Sequence, residues 1–379
     1  MTESPKYQIC TNCIMDTSDP QITFDDRGEC DFCTSFKRTI APSWHTDERG
    51  QKELMEIAQK IKDKTKGQKY NCIIGVSGGV DSSYLTYIAT EVMGLNPLLF
   101  SVDSGWNLNI AVENIEKIVK TLNLDLYTEV VNWQEMKDLQ LAFLKSQVPY
   151  QDTPQDHVIF AGLYNYASKQ GIKYVLTGGN YSTECVKPPF EWTYINDIKF
   201  IKDIHRKFGT VPLKTFPMCG MLKNRIWYRG IKGMKVVKPL DYVPYEQESA
   251  LKLLEEKFGY QRYKNKHYEN IFTRWYEGYY MPKKFGYDKR RCYYSSLILT
   301  GQMTRDEALK LIAENPYDEK QAKEDQEYIA KKLGITSSEM DMIIAGENKT
   351  WRDYKNQASL LNFFIHTAQR AGIEKRNFR

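Results

Sequence analysis

Five short apolar runs recur along the middle of the chain: NCIIGVS (71–77), PLLFSVD (97–103), LYTEVVN (126–132), KYVLTGG (173–179) and MKVVKPL (234–240). Runs of this length, rich in branched side chains and bounded by turn formers, read as buried strands. Helix-patterned segments separate them, such as DSSYLTYIATEVMG with Leu85, Ile88, Ala89 and Val92 on one face. Strands joined by crossover helices lie parallel, with helices on both faces of the sheet. The expected fold is therefore α/β, a doubly wound parallel five-stranded sheet. Ligands of such sheets bind beyond the carboxyl ends of the strands, so the loops after the runs are where chemistry is expected.

The first of those loops is Ser77-Gly78-Gly79-Val80-Asp81-Ser82-Ser83. A strand-to-helix turn aims several backbone N–H groups and the positive end of the helix dipole at one point, where an anion fits. Gly78 and Gly79 are expected to let backbone approach the ligand without a Cβ in the way. Ser77, Ser82 and Ser83 add hydroxyl donors. Asp81 would repel a bare phosphate, so its expected use is to hold a magnesium ion that bridges phosphate groups. The lysine of a Walker loop is missing, and so is G-x-G-x-x-G spacing.

Four of the eight cysteines fall in two C-x-x-C knuckles, Cys10/Cys13 and Cys30/Cys33. This spacing fits a closed, structural zinc site; an iron–sulfur cluster is the rival occupant. Turn formers around Ile22 and Phe24 suggest a small hairpin between the knuckles, and Leu54, Ile57, Ala58 and Ile61 mark a helix leading from this ribbon to the main body. Past Thr304 the chain reads as helices, the last with an apolar face of Leu361, Phe364 and Ile365. Three units are expected: a zinc ribbon (1–45), the α/β domain (46–260) and a basic, aromatic and then helical C-terminal region (261–379).

With 53 basic and 48 acidic residues, a net charge of +5, the chain has no charge bias that demands nucleic acid. A zinc-ribbon nucleic-acid binder with an inactive nucleotide fold is disfavoured for the same reason. No 18-residue apolar stretch occurs and MTESPKYQIC lacks a signal pattern, so the expectation is a cytoplasmic protein without a membrane span.

SGGVDSS resembles the pyrophosphate loop (PP-loop) of the N-type ATP pyrophosphatases, which have the adenine nucleotide alpha hydrolase-like fold and cleave ATP between the α and β phosphates. The ribbon, SVDSGWN after the second run, LTGGNYSTE after the fourth, and YMPKKFGYDKRRCYYSSLILTGQMTRDEAL extend the resemblance along nearly the whole chain. With these, it resembles the N-acetyl sugar amidotransferases of surface polysaccharide (O-antigen, lipopolysaccharide) biosynthesis, the WbpG/PseA-like family. The resemblance implies an ATP-dependent, AMP-forming carbon–nitrogen ligase that converts an acetamido sugar to an acetamidino sugar. ATP, Mg2+ and a structural Zn2+ would be its cofactors. Ser77, Gly78, Gly79, Asp81, Ser82, Ser83, Gly178 and Gly179 would bind the phosphates, and Asp103 and Ser104 the adenosine. Asn180 and Glu184 would complete a magnesium or substrate shell. In KKFGYDKRR, Lys284, Lys289 and Arg290 are the candidates for neutralising the departing pyrophosphate. The aromatic run HYENIFTRWYEGYYMP offers either a wall for the sugar nucleotide or core.

Thr2 is not the nucleophile of a built-in glutaminase, so ammonia is expected from a separate glutaminase with an ammonia-channelling subunit, a pair resembling imidazole-glycerol-phosphate synthase. The acceptor is expected to be a nucleotide-linked N-acetyl sugar or a nonulosonic acid derivative. The alternative is a tRNA-thiolating PP-loop enzyme in which Cys185, Cys219 and Cys292 hold an iron–sulfur cluster.

Overall fold

The computed structural model describes residues 7–189, 197–263 and 268–370. All five expected strands form: β1 (Cys72–Gly75), β2 (Pro97–Asp103), β3 (Leu126–Val130), β4 (Tyr174–Leu176) and β5 (Lys235–Val237). They pair in parallel in the order β3-β2-β1-β4-β5, with Ile73 in register with Leu98 on one side and Val175 on the other. The chain leaves β1 toward β2 and later returns to its other edge with β4. The strand order therefore reverses between β1 and β4, and the crevice opened there is where an open α/β sheet takes its ligand.

Alternation along β1 explains the two helical layers, since successive side chains point to opposite faces. Ile74 packs with Leu54, Ala58 and Ile61 of α1 (Glu48–Lys64) and Leu85 of α2 (Val80–Tyr87). Ile115 of α3 (Asn109–Leu122) joins the same cluster. Ile73 packs on the opposite face with Phe143 of α4 (Trp133–Ser146) and Val158, Ala161 and Tyr164 of α5 (Thr153–Lys169). The span between β3 and β4 thus holds two helices. Gln147, at φ 63°, ends α4 in the left-handed conformation.

Beyond the sheet come α6 (Ile198–Phe208), α7 (Gln247–Phe258), α8 (Arg290–Leu299), α9 (Arg305–Ala313), α10 (Glu319–Leu333), α11 (Ser337–Ala345) and α12 (Ala358–Arg370). Capping boxes fix two of their starts, Thr304 with Glu307 for α9 and Thr336 with Glu339 for α11. Of the apolar face expected on α12, the side chains of Phe364 and Ile365 lie outside the described residues. The aromatic run before α8 is largely core: Phe272, Trp275, Tyr276 and Tyr280 have no exposure, while Tyr268 lines a cavity. No helix among the described residues is long and apolar enough to cross a membrane.

The N-terminal ribbon closes on α8 and α9. Arg291 donates to the Ile14 carbonyl (2.8 Å) and pairs with Asp16 (3.0 Å), while Arg305 reaches the carbonyls of Cys10 (2.8 Å) and Cys13 (3.1 Å). The four ribbon cysteines, all without exposure, belong to the same apolar cluster as the sheet face covered by α5.

Candidate active site

The expected loop sits at the switch point. Gly79 is the N-cap of α2 in an extended conformation, and the first turn of α2 presents backbone N–H groups that have no intrahelical acceptor. The loop is braced from within: the Ser77 hydroxyl accepts from Gly79 N–H (3.2 Å), and the Ser82 hydroxyl accepts from Ser77 N–H (3.3 Å) and donates to the Gly79 carbonyl (3.2 Å). A cavity of about 620 Å³ opens over it, lined by Ser77, Gly79, Asp81, Ser82, Gly178 and Gly179 among others. Ser83 is buried behind the loop, at 2% exposure, and does not line it.

The glycines earn their places differently from the expectation. Gly78 has φ +81°, and a Cβ there would fall 2.5 Å from the Ala111 carbonyl oxygen of α3. Its requirement is close packing against α3 in a left-handed conformation, and not approach to a ligand. The Gly78 carbonyl is also held, by Tyr260 (2.8 Å) and Tyr263 (3.1 Å) hydroxyls. Gly178 lets the loop after β4 lie against α2, since its Cβ would meet the Asp81 carbonyl carbon at 3.1 Å. Gly79 lines the cavity directly, and a Cβ there would meet the Glu269 carboxylate at 3.0 Å.

Asp81 is reached from the segment after β5, where the buried Tyr245 donates its hydroxyl hydrogen bond to Asp81 Oδ1. Burial, and then the charge of Asp81, push the Tyr245 hydroxyl well above its ordinary pKa, so it stays a donor. Glu269 arrives from far along the chain. Its carbonyl accepts from Leu108 N–H (3.0 Å), and Ile271 N–H donates to Trp106, so the strand-like segment 269–271 runs beside the turn after β2 and overhangs the loop. Neither Tyr245 nor Glu269 carried a sequence signal, Glu269 lying inside an aromatic run whose members the sequence does not tell apart.

Five carboxylates line this cavity, from Asp81, Glu184, Glu246, Glu248 and Glu269, against one arginine, Arg262, among the described residues. Arg262 is itself clamped by Glu248 (2.9 Å) and by Glu255. Lys238 Nζ lies beside Gly179, 3.8 Å from the position of an added Cβ. Hard oxygen donors in this number suit divalent cations such as Mg2+, which takes carboxylates together with phosphate oxygens.

Several expected site residues are occupied elsewhere. Asn180, at 1% exposure, caps the short helix Tyr181–Glu184, accepting from Thr183 N–H (2.9 Å) and donating to the Gly178 carbonyl (3.0 Å). It does not line the cavity, whereas Glu184 does. Asp103 closes a turn by accepting from Gly105 N–H (2.8 Å), and Ser104 is buried against Gln155 (3.1 Å); neither lines the cavity. Lys284 donates to the carbonyls of Ile343 (3.2 Å), Ile344 (3.1 Å) and Gly346 (2.7 Å), capping the C-terminus of α11. Arg290 pairs with Asp288 (2.7 Å) and reaches the carbonyls of Leu311 (3.1 Å) and Glu314 (3.0 Å) at the end of α9. Within the basic run, Lys284 and Arg290 therefore cap helix ends and Arg291 anchors the ribbon, because cations complement the orphan carbonyls of helix ends.

A second cavity of about 600 Å³ adjoins the first, sharing Glu184 and Tyr293 as walls. Lys289 and Arg290 line it, with Glu277, Tyr268, Tyr294 and Glu314. Lys289 is paired with Glu277; burial pulls its pKa down, but Glu277, Asp152 and Asp156 outweigh that and leave it raised.

The ribbon sulfurs meet at 3.6–3.7 Å (Cys10–Cys33, Cys13–Cys30, Cys30–Cys33), and backbone N–H groups of Asn12, Cys13 and Cys30 point at Cys10 Sγ. Four thiolates held ~2.3 Å from one tetrahedral ion would be ~3.8 Å apart. The geometry suits a single ion. Among the described residues this is the only group of three or more metal-ligating side chains brought together. Cys185 and Cys219 are thiols that burial pushes up to about 12 and about 11, and Cys292 is buried in α8.

The family model described as "LPS biosynthesis protein WbpG-like, C-terminal domain" matches residues 269–368. An uncharacterised protein of Methanocaldococcus jannaschii is 29% identical over 131 residues, 35% of this chain and 45% of its own length, so the match spans less than half of that relative. Among solved structures, the chain is similar to NMN synthetase from Francisella tularensis (13% identity, 88% of this chain and 98% of that one, TM-score 0.32). It is also similar to the U34-tRNA thiolase NcsA from Methanococcus maripaludis with its [4Fe-4S] cluster (15% identity, 75% and 80%, TM-score 0.34).

Proposed function

We propose that this chain, whose residues 269–368 match the WbpG-like C-terminal domain, is an ATP-using PP-loop enzyme, an amidotransferase acting on an acetamido sugar in lipopolysaccharide biosynthesis. The observation that carries the reading is the pair of adjoining cavities: an acidic one over the phosphate loop, and a second, built largely by the family-matched segment, that meets it at Glu184 and Tyr293.

The triphosphate would lie over Ser77–Ser82, taking hydrogen bonds from the Ser77 hydroxyl and the N–H groups that open α2. Magnesium, which when bound offsets phosphate charge, would be held by Asp81 together with phosphate oxygens, with Glu184 and Glu269 lining the same cavity. The sugar would occupy the second cavity with its acetamido oxygen toward Glu184. That oxygen attacks the α phosphorus, the α–β bridging P–O bond breaks, and pyrophosphate leaves while the amide N–H proton goes to solvent. Ammonia then adds at the imidate carbon, the carbon–oxygen bond breaks, and AMP departs with the former carbonyl oxygen, leaving the amidine. An amide oxygen is too poor a leaving group without this adenylation. Placement and neutralisation of pyrophosphate would supply most of the rate. Ammonia would come from a separate glutaminase and its channelling subunit, and zinc would occupy the ribbon as a structural ion.

The test mixes the enzyme with ATP, magnesium, an ammonium salt and a panel of acetamido sugars. Expected are AMP, pyrophosphate and a product lighter by about one mass unit, the amide-to-amidine exchange that adenylation makes possible. ADP and orthophosphate with the true acceptor would refute it.

A further inference from the structure

Between Cys219 and Asp241 the chain carries six basic residues, Lys223, Arg225, Arg229, Lys232, Lys235 and Lys238, and no acidic one. A chain that is nearly charge-balanced overall concentrates its excess here. The same stretch displays apolar side chains to solvent: Leu222 is 48% exposed, Ile226 56%, Trp227 45% and Ile231 65%. The segment Lys223–Ile231 is a wide helix, with Lys232 N–H bonded five residues back to Trp227 (2.8 Å). Turns of that width bring residues four and five apart onto one side, so Leu222, Ile226 and Ile231 share a stripe with Trp227 beside it.

Only the opposite side is tied down. Asn224 and Tyr228 are buried, and Tyr228 (2.5 Å) and Lys223 (2.9 Å) both donate to Asn165 Oδ1 on α5. The outward stripe is thus held rigidly and not folded away. Lys232 Nζ stands 5.4 Å from the Trp227 ring, an aromatic with a cation at its rim.

We propose that residues 222–232 are an interfacial anchor that docks the protein reversibly on an anionic membrane surface. Apolar tips ringed by lysine and arginine match a bilayer boundary, where the tips enter the acyl region and the cations remain among anionic headgroups. A protein partner fits less well, because lysine is depleted from the buried centre of protein interfaces, where it would be stripped of water. The anchor precedes β5, and Lys238, which follows β5, stands by Gly179 of the nucleotide cavity. The anchor therefore lies at the amino ends of the parallel strands and both cavities at the other, so docking leaves the catalytic mouth open.

The test is flotation of the full chain with vesicles of equal parts phosphatidylglycerol and phosphatidylcholine, against phosphatidylcholine alone. Binding only to the anionic vesicles is expected, with tryptophan quenching by brominated acyl chains that disappears in Trp227→Phe. Arg225→Gln with Arg229→Gln should weaken binding roughly 25-fold, about 5-fold per cation, and Ile226→Ser with Ile231→Ser at least about 10-fold. All of these side chains are at the surface, and unchanged AMP formation checks that the variants fold. No flotation, equal flotation with neutral vesicles, or variants that float like the parent chain overturns the proposal. So does concentration-dependent self-association that the isoleucine variant abolishes in the absence of vesicle binding.

Discussion

Tyr245, carried on the segment after β5, donates its hydroxyl hydrogen bond to Asp81 Oδ1 on the helix that follows β1, so the two sides of the switch point are tied at the one acid of the phosphate loop. The bond orients the carboxylate at the floor of the cavity. Asp81→Asn keeps the shape but halves the donor set, and ATP turnover should fall on the order of 100-fold or more. Tyr245→Phe removes orientation alone, and a loss of about 10-fold is expected, one hydrogen bond to a charged group. Steady-state release of AMP measures both. Equal losses in the two variants would mean that Tyr245 touches the substrate.

Gly78→Ala tests the claim that this glycine serves the fold. The new methyl would sit in the left-handed region and drive into the backbone of Ala111 at 2.5 Å, a contact no rotamer relieves. A destabilisation of about 2–4 kcal/mol is expected from urea unfolding, against less than about 1 kcal/mol for Gly67→Ala, which has φ +81° but nothing within 4 Å. Similar costs at both sites would show that φ, and not packing on α3, sets the requirement.

Lys284→Ala separates a helix cap from a phosphate ligand. Three carbonyls at the end of α11 lose their donor, so the thermal midpoint should drop by several degrees, a cost of about 1–3 kcal/mol. Activity measured well below the midpoint should stay within about 3-fold of the parent chain; a fall of about 100-fold would restore the catalytic assignment.

The strands were legible because each is a compact apolar run between turn formers, and β1 through β5 fall inside the five expected stretches. The phosphate loop was legible because all its residues are consecutive. What the sequence hid is partnership. KKFGYDKRR shows charge density but not which carbonyls its members face, so Lys284 and Arg290 read as phosphate ligands when they cap α11 and α9. Glu269, Tyr245 and Arg262 lie over a hundred residues from the loop they overhang, and nothing local distinguishes them from ordinary surface or core residues. Gly78 was expected to let backbone approach the ligand, whereas what lies against its missing Cβ is Ala111 of α3, a contact that only the folded chain reveals.

Removing the ribbon ion should unsettle the whole molecule. The four thiolates are buried within the main apolar cluster, and Arg305 binds the carbonyls of Cys10 and Cys13. Metal analysis should find one tetrahedral ion per chain, zinc on the reading above. Cys13→Ser or a strong chelator should lower the thermal midpoint by roughly 10 °C or more and expose α8 to proteolysis. A ribbon that loses its ion without moving the midpoint would show that docking through Arg291 and Arg305 suffices.

Asp241 gives the molecule a distinctive pH response. Its carboxylate accepts from Tyr181 N–H (2.7 Å) beneath the site, and burial pushes its pKa up to about 6, with Lys238 opposing the shift. An ordinary unfolded aspartate titrates near 3.9. The folded state therefore binds this proton more tightly than the unfolded one. Its contribution is full below about pH 4 and is lost as pH rises through about 6. A shift of about two units corresponds to about 3 kcal/mol. Asp241→Asn has no such proton to lose, so its stability relative to the parent chain should rise by that order between about pH 4 and pH 7, read from urea midpoints. A flat difference across that window would mean that Asp241 stays ionised throughout, its charge met by Lys238 more closely than the structure indicates.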